Sequence, residues 1–469
     1  MMRHRLTIAI AALCATGSLF GAEQAQATAA PDASEIFEGG KVWTVHLKFT
    51  ADQWKAMEPV DGARPERGRD RSFLLGPEGG RNGIAAAFGI EFKYARANLE
   101  FGPHQLAGVG VRYKGNGTFL TSRDSLKRSL KIDTNQFEKG LKLAGMTQFN
   151  LHNSVRDPSG MNESVAYRLF RDAKVPAPRT AYAKVFVTVP DLHERKYLGL
   201  YDLVEDVGSR FIENHFGTTD GALFKPVTSN LFADLGEDWK AYNQIYDPKG
   251  KLSDTEKKRV IETCKFVTGS NPADFAAHVG DYFELENLAR YLGLTAWMSD
   301  LDGILGPGQN FYLYLHPQTR KFWFIAWDQD QTFGQFPRGR QEQRENLSIQ
   351  RPWNGRNLFL EKLFAAETFK TKYLASLAEL NKTVLQPEGI HRQVDELAKA
   401  LREPISEESP ERLASFTKAA AGEMVSVTMG PGYREPIQAK PIKPFVTARW
   451  KSVDDQIAGR AEGVTISGR

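Results

Sequence analysis

Carboxylates and one side-chain amide lie at both ends of a short aromatic stretch of the chain. Asp300 and Asp302 precede this stretch, and Asn310 opens it. Asp328 and Asp330 follow it. Carboxylate and amide oxygens are ligands that Mg²⁺ prefers, and a divalent cation offsets the repulsion between neighbouring carboxylates. The pattern therefore predicts a divalent-cation site and suggests a centre that handles phosphate groups.

These acids can meet only if the stretch between them folds back on itself. Two apolar and aromatic runs, 310–314 and 321–327, have the composition of buried strands. The segment 316–319 is short enough to close a hairpin between them. Residues 285–300 form an almost wholly apolar helical pattern, which predicts a core helix that delivers the first acidic pair to the rim of the hairpin.

Strand patterns dominate the first part of the chain, and helix patterns dominate the second. Alternating or apolar runs predict strands over 41–49, 88–92, 95–101, 109–113, 130–133, 149–152, 181–188 and 196–204, with a short helix after Thr50 and a longer helix over 162–174. Helices are predicted over 254–267, 271–279, 285–300, 357–365, 369–380, 387–401, 410–425 and 445–459. The sequence therefore predicts an α+β protein with a sheet-rich lobe, 35–205, and a helix-rich lobe, 206–465.

The first 27 residues have the pattern of a secretory signal peptide. Positive charge at the start, the apolar run 6–20 and an Ala25-Gln-Ala27 cleavage site fit this pattern. The apolar run is too short for a permanent membrane span, and the small residues 28–34 indicate a linker. We therefore expect a protein exported to the periplasm, the cell surface or the medium. The formal net charge of +4 over 469 residues predicts neither nucleic-acid nor membrane binding.

A glycine-bearing turn lies close to a lysine-rich strand. The turn begins at Lys114 (Lys-Gly-Asn-Gly-Thr), and Lys127 and Lys131 follow it in the chain. Many phosphotransfer proteins cover nucleotide phosphates with such a turn and bind them with a lysine ammonium group. The alternative is a plain hairpin turn beside an edge strand whose lysines face solvent.

No nucleophile or metal-binding histidine cluster accompanies the acids in the sequence. His152, His193, His215 and His316 lie on separate segments, which predicts ordinary surface or turn histidines. Cys264 lies on an amphipathic helix and is predicted to be a core residue. These observations disfavour a carboxylate-based hydrolase acting on phosphate esters or polysaccharide.

Four segments resemble the spore coat protein H (CotH) kinase family of atypical kinases. They are Lys127-Arg-Ser-Leu-Lys-Ile132, residues 175–205, Gly221-Ala-Leu-Phe-Lys225, and Asp302 together with Asn310-Phe-Tyr-Leu-Tyr314 and Trp327-Asp-Gln-Asp-Gln-Thr-Phe-Gly334. Residues 443–449 also resemble the closing helix of the family, so that the resemblance extends over about 35–463. It implies a bilobal, atypical protein-kinase-like fold, although the H-R-D, D-F-G and V-A-I-K motifs are absent.

The resemblance also implies roles for the acidic residues. Asp302 would be the general base that accepts the proton of the substrate hydroxyl. Asn310 and Asp328 would hold Mg²⁺ or Mn²⁺ against the nucleotide phosphates. Asp330 would be a second metal ligand or would orient the first ligands. Asp302 and Asn310 are eight residues apart, whereas five separate the corresponding residues of protein kinases.

Further residues are implied to bind the nucleotide. Lys131 or Lys127 would contact the α and β phosphates, and Lys131 is favoured because it lies within a predicted strand. Glu163, on the predicted helix, is the candidate salt-bridge partner of that lysine. Glu205 lies where a kinase connector meets the adenine, and Lys225 fits a strand motif of the family.

Together these features predict an exported kinase that transfers the γ-phosphoryl group of ATP to protein hydroxyls with Mg²⁺ or Mn²⁺. Its expected partners are a nucleotide and a secreted or surface protein substrate, and it is expected to be a monomer. The alternative is a catalytically silent surface, adhesion or structural protein that has the kinase fold and a bound cation.

Overall fold

The computed structural model describes residues 33–61, 73–430 and 435–467. The predicted signal peptide, 1–27, and most of the predicted linker, 28–34, lie outside the described residues. Residues 33 and 34 belong to the first described helix.

The described residues contain fourteen strands, most of them in two sheets. The strands are β1 (Val42–Lys48), β2 (Val60–Asp61), β3 (Ile90–Glu91), β4 (Ala95–Phe101), β5 (His104–Tyr113), β6 (Leu130–Asp133), β7 (Gln148–His152), β8 (Thr180–Val189), β9 (His193–Glu205), β10 (Ala222–Phe224), β11 (Phe311–Leu315), β12 (Phe322–Ala326), β13 (Val425–Val427) and β14 (Ile437–Ala439).

Helices flank the first sheet and make up most of the second half of the chain. They are α1 (Ala33–Ile36), α2 (Ala51–Met57), α3 (Ile84–Ala87), α4 (Gly117–Thr121), α5 (Asn162–Asp172), α6 (Ser209–Phe216), α7 (Lys240–Tyr246), α8 (Asp254–Gly269), α9 (Pro272–Tyr282), α10 (Leu285–Trp297), α11 (Gln341–Glu345), α12 (Leu358–Ala365), α13 (Glu367–Lys382), α14 (Pro387–Ser406), α15 (Pro410–Ala421) and α16 (Ile442–Ile457). The α+β class predicted from the sequence is confirmed.

Seven strands of the first lobe close into a barrel in the order β1-β4-β5-β6-β7-β9-β8. Neighbouring strands run antiparallel except β1 and β8, whose parallel pairing closes the barrel. Burial alternates along β4, as expected for a strand with one face in the core. The interior is one hydrophobic cluster that includes Val45, Leu99, Val109 and Leu203. The strand patterns predicted this lobe to be rich in sheet, but they did not predict its closure.

The second lobe is built around α10 and the hairpin of β11 and β12. The hairpin pairs Phe311 with Ala326, and β10 extends it to a three-stranded sheet. The Asn287 side chain on α10 hydrogen-bonds both main-chain groups of Phe324, at 2.7 and 3.1 Å. This contact satisfies the outer edge of β12 and fixes α10 against the hairpin.

Helix α5 follows β7 in the chain but packs into the core of the second lobe. Phe170 on α5 stacks on Tyr291 of α10 with ring centroids 5.8 Å apart. Ion pairs of Lys127 with Glu408 and Lys184 with Glu407 join the barrel to the region between α14 and α15. Within the described ranges, no helix is both long and apolar enough to cross a bilayer.

Candidate active site

A cavity of about 640 Å³ lies between the barrel and the three-stranded sheet. Its barrel side includes Lys131 on β6 and Asn150 on β7. Its opposite side includes Lys225, Asn310 and Asp328. The walls therefore combine cations from both lobes with the candidate metal ligands, as expected for a site that binds a polyanion together with a cation.

Asp302 and Asn310 are in direct contact. The Asn310 amide nitrogen donates to the Asp302 carboxylate and to its main-chain carbonyl, both at 3.2 Å. The Gln309 amide donates to the other carboxylate oxygen of Asp302 at 3.0 Å. Burial, reinforced by the charges of Asp300 and Asp328, raises the pKa of Asp302 to about 7. A carboxylate with such a pKa can accept a proton near neutral pH.

The loop between Asp302 and Asn310 turns back sharply at Gly308. Gly308 has φ of +74°, and its carbonyl accepts a hydrogen bond from the Thr228 main chain at 2.8 Å. A Cβ atom at Gly308 would lie 1.8 Å from the Thr228 carbonyl oxygen. Only glycine fits this position, which lets the loop turn back while the side chains of Asp302 and Asn310 remain in contact.

Asp300 lies beneath the loop and is buried. Its carboxylate accepts a hydrogen bond from the Asp302 main-chain nitrogen at 3.2 Å. Burial raises the pKa of Asp300 to about 7. Asp300 therefore shapes the loop that carries Asp302. Neither Asp300 nor Asp302 is among the residues that line the cavity, and Asp302 lies next to it through its contact with Asn310, which does line it.

Asp328 and Asp330 follow β12 and line the cavity. Asp328 has φ of +58°, and its main-chain nitrogen donates to the Tyr167 hydroxyl at 2.9 Å. Within the described part of the chain, neither carboxylate forms a side-chain hydrogen bond or ion pair. Burial, together with the charges of Asp328 and Glu163, raises the pKa of Asp330 well above its ordinary value.

This donor set fits a hard divalent cation. The carboxylates of Asp328 and Asp330 and the amide oxygen of Asn310 are oxygen ligands of the kind that Mg²⁺ and Mn²⁺ accept. Among residues 33–61, 73–430 and 435–467, however, no three His, Cys, Asp or Glu side chains are grouped to hold a metal ion by themselves. A cation here would therefore need further oxygen ligands from a bound phosphate or from water.

Lys131 lines the cavity and forms an ion pair with Asp206. Its ammonium group lies 2.8 Å from the Asp206 carboxylate, which also accepts from the Asn150 amide at 3.0 Å. Burial would raise the pKa of Asp206, but the charge and hydrogen bond of Lys131 lower it below its ordinary value. Asp206 immediately follows β9, so this pair joins the barrel to the start of the second lobe.

Lys127 lies outside the cavity. Its ammonium group contacts both carboxylate oxygens of Glu408 at 2.8 Å. Glu408 also accepts from the Leu200 main chain at 2.7 Å. Of the two lysines considered from the sequence, the structure thus brings Lys131 to the cavity and engages Lys127 in a contact between the lobes.

Lys225 lines the cavity next to two aromatic rings. Its nitrogen lies 5.4 Å from the ring centroid of Tyr312 and 5.3 Å from that of Trp327, within reach of cation–π attraction. Burial, together with the charge of Lys249, lowers the pKa of Lys225 to about 8.

Glu163 does not pair with Lys131, contrary to the interpretation of the sequence. Its carboxylate contacts His152 Nδ1 at 2.5 Å and accepts from the Tyr167 hydroxyl at 3.1 Å and the Gln329 main chain at 3.3 Å. The predicted ion pair between Glu163 and Lys131 is absent because Lys131 is bound to Asp206. His152, at the end of β7, faces α5 and contacts Glu163 in its place.

Two residues of the site were missed from the sequence. His152 is 8% exposed and contacts the Lys114 ammonium group through Nε2, so the prediction of a surface or turn histidine is wrong. Lys114 lines the cavity with its nitrogen 5.1 Å from the Trp327 ring centroid. The position of Lys114 at the start of the glycine-bearing turn was an available signal. His152 is a single histidine in a predicted strand, and no sequence pattern around it indicated a role in the site.

Glu205 ends β9 and lines the cavity, but its carboxylate is bound by Arg179. The Arg179 guanidinium donates to both oxygens, at 2.6 and 3.0 Å, and the Arg179 main chain donates at 3.1 Å.

Cys264, predicted to be a core residue, is buried against Tyr246.

Comparison with known proteins assigns this chain to a family. The family model described as CotH kinase protein matches residues 111–450. The inner spore coat protein H of Bacillus subtilis (strain 168) is 24% identical over 270 residues, which cover 56% of this chain and 68% of that protein. The resemblance predicted from the four segments is confirmed, and the chain belongs to the CotH kinase protein family.

Proposed function

We propose that this protein is an exported atypical kinase that transfers the γ-phosphoryl group of ATP to hydroxyl groups of a secreted or surface protein. The observation that carries the proposal is the contact between Asp302 and Asn310 beside Asp328, whose carboxylate has no partner among the described residues, at a cavity lined by lysines. Membership of the family and the likeness to a spore coat protein support both the kinase chemistry and the exported location.

Asp302 would accept the proton of the acceptor hydroxyl. The amides of Gln309 and Asn310 donate to its two carboxylate oxygens, and these bonds orient the carboxylate. They also favour the charged form against the effect of burial. Phosphoryl transfer requires mainly positioning and charge neutralisation, so a well-oriented weak base is sufficient.

Asn310 and Asp328 would hold Mg²⁺ or Mn²⁺, with Asp330 as a further ligand or as a group that orients the first two. A divalent cation bound there would neutralise charge on the phosphate oxygens of the nucleotide. Lys131 and Lys225 line the same cavity and would contact the phosphates. Glu205 would mark the nucleoside end, where β9 enters the second lobe.

The proposal is tested by equilibrium binding of labelled ATP to the purified chain with and without Mn²⁺, followed by transfer of the γ label to itself or to secreted proteins. We expect metal-dependent binding and transfer, and loss of both in Asp328→Asn. A matched control is Asp254→Asn, which changes an exposed helix residue that does not line the cavity. Absence of both binding and transfer in the unaltered chain would reject the kinase function.

The carboxylates of Asp328 and Asp330, which have no partner in the part of the chain that the structure describes, also favour a second candidate, a silent kinase-fold protein with a bound cation. A cation would relieve the repulsion between these groups whether or not catalysis occurs. Thermal stabilisation by Mn²⁺ without nucleotide binding or transfer would identify this second function.

A further inference from the structure

The helix glutamate of this fold is connected to a lysine through a histidine. In protein kinases the glutamate of the helix pairs directly with a lysine on the preceding strand. Here the strand that precedes α5 is β7, and the β7 residue that contacts Glu163 is His152. The strand therefore presents an imidazole where the direct ion pair would require an ammonium group.

The second imidazole nitrogen extends the contact to a cation. His152 Nδ1 lies 2.5 Å from the Glu163 carboxylate, and Nε2 contacts the Lys114 ammonium group. A protonated Lys114 has only donors, so Nε2 accepts and Nδ1–H donates to the carboxylate. Burial would raise the pKa of Glu163, but His152 and Lys114 lower it below its ordinary value, so the carboxylate is ionised at neutral pH.

Lys114 carries this connection into the cavity. It is a cavity-lining residue at the beginning of the glycine-bearing turn, and its nitrogen lies 5.1 Å from the ring centroid of Trp327. Burial lowers the pKa of Lys114 to about 7, whereas the charges of Asp328 and Glu163 act in the opposite direction. An anionic phosphate in the cavity would further favour its charged form.

The other carboxylate oxygen of Glu163 is connected by hydrogen bonds to the main chain of Asp328, the candidate metal ligand. This oxygen accepts from the Tyr167 hydroxyl and from the Gln329 main chain. The Tyr167 hydroxyl in turn accepts from the main-chain nitrogen of Asp328 at 2.9 Å. One buried carboxylate therefore fixes both the lysine and the backbone that carries the metal ligand.

We propose that His152 is a positioning residue that couples Glu163 to Lys114, and that Lys114 is the lysine through which α5 controls binding of the nucleotide phosphates. This inference rests on the proposed kinase function. Lys131 remains a cavity cation, but its ammonium group pairs with Asp206 and not with Glu163.

The test is a double-mutant cycle with labelled Mn²⁺–ATP as the probe. His152→Ala and Lys114→Met should each raise the dissociation constant about tenfold, and the double variant should be no weaker than either single variant. His152→Gln retains one donor and one acceptor and should restore most of the affinity. His46→Ala is the matched control, since His46 is a buried histidine that contacts Glu100 on the barrel outside the cavity. It should bind ATP normally.

A second readout does not need nucleotide. The ¹⁵N resonance of His152 Nε2 should move in Lys114→Met, because its hydrogen-bond partner is removed. Additive losses of affinity, or unchanged ATP affinity in a folded His152→Ala protein, would overturn the coupling. If the unaltered chain binds no nucleotide, the proposed kinase function is rejected. The NMR measurement still tests the coupling in that case. A shift of the Nε2 resonance in Lys114→Met supports the coupling, and an unchanged resonance overturns it.

Discussion

The side-chain amide of Asn310 donates to both the carboxylate and the main-chain carbonyl of Asp302, across a separation of eight residues in the chain. Protein kinases bring their base and metal-binding asparagine together over five residues. The longer loop of this protein still brings Asp302 and Asn310 into contact because it turns back at Gly308. The contact, and not the spacing in the sequence, is therefore the feature that defines the site.

Gly308→Ala should disrupt this loop. The added Cβ would meet the Thr228 carbonyl at 1.8 Å at a position with φ of +74°, so stability should fall by at least about 2 kcal/mol. Gly217→Ala is the matched control, since Gly217 has φ of +69° but no atom within 4 Å of an added Cβ. Urea unfolding measures both. Equal losses in the two variants would show that the contact with Thr228 does not constrain the loop.

Asp302→Asn should stabilise the metal-free protein at high pH. The pKa of Asp302 is raised from 3.8 to about 7, so the folded state retains a proton that the unfolded state releases between these pH values. The free energy of unfolding therefore falls as pH rises through this window. The variant lacks this loss and should be more stable by up to about 4 kcal/mol at pH 8, with the difference vanishing near pH 4.

Urea unfolding in a chelator at both pH values measures this effect. Asp254→Asn, which changes an exposed aspartate, should show no such stabilisation. A stability difference for Asp302→Asn that is the same at pH 8 and pH 4 would contradict the raised pKa.

Lys131→Met and Lys127→Met should differ in their effect on nucleotide binding. Lys131 lines the cavity, so its loss should raise the KM for ATP several-fold. Lys127 is held by Glu408, and its loss would leave a mostly buried carboxylate without its cation and with only the Leu200 main chain as donor, lowering stability by about 3 kcal/mol. Steady-state kinetics and urea unfolding of both variants measure these effects. A raised KM in Lys127→Met with unchanged stability would reverse the assignment.

Arg449→Met should destabilise the second lobe. The buried Arg449 guanidinium on α16 donates to the carbonyls of Ala296 and Trp297 at the end of α10, and to those of Glu345 and Leu347. Removing it takes a donor from each of these carbonyls, although Ser299 still donates to Ala296 and Gln456 to Leu347, and should cost about 3 kcal/mol.

The control for this variant is Arg460→Met. Arg460 is an exposed arginine whose partners are Asp454 and Asp455, and its loss should change stability by less than about 0.5 kcal/mol. Thermal and urea unfolding measure the stability of both variants. Similar losses of stability in Arg449→Met and Arg460→Met would contradict this account of Arg449.

Local patterns were sufficient to predict the elements that carry the acids. The apolar helix was predicted over 285–300 and is observed as Leu285–Trp297, and the two strands of the hairpin were placed within two residues of their observed ends. These segments are buried and strongly patterned, so composition alone indicates them. Once the two strands are predicted to form a hairpin, the acidic residues before the first strand and after the second strand are expected at the same rim.

Long-range pairing was not accessible from the sequence. The parallel pairing of β1 with β8 joins segments about 140 residues apart, and no local pattern encodes it. The same limit explains the error at Glu163. Its partner depends on which side chain of the barrel faces α5, and the imidazole of His152 occupies that place while Lys131 faces Asp206.

The most direct test of the central claim is single-turnover transfer of the γ-phosphoryl group from Mn²⁺–ATP by the unaltered chain, Asp302→Asn and Asp328→Asn. We expect transfer by the unaltered chain and a loss of at least about 100-fold in Asp302→Asn with ATP binding retained. Asp328→Asn should lose metal-dependent ATP binding as well. Transfer at the same rate in Asp302→Asn, or in Asp328→Asn, would contradict the assignment of the site.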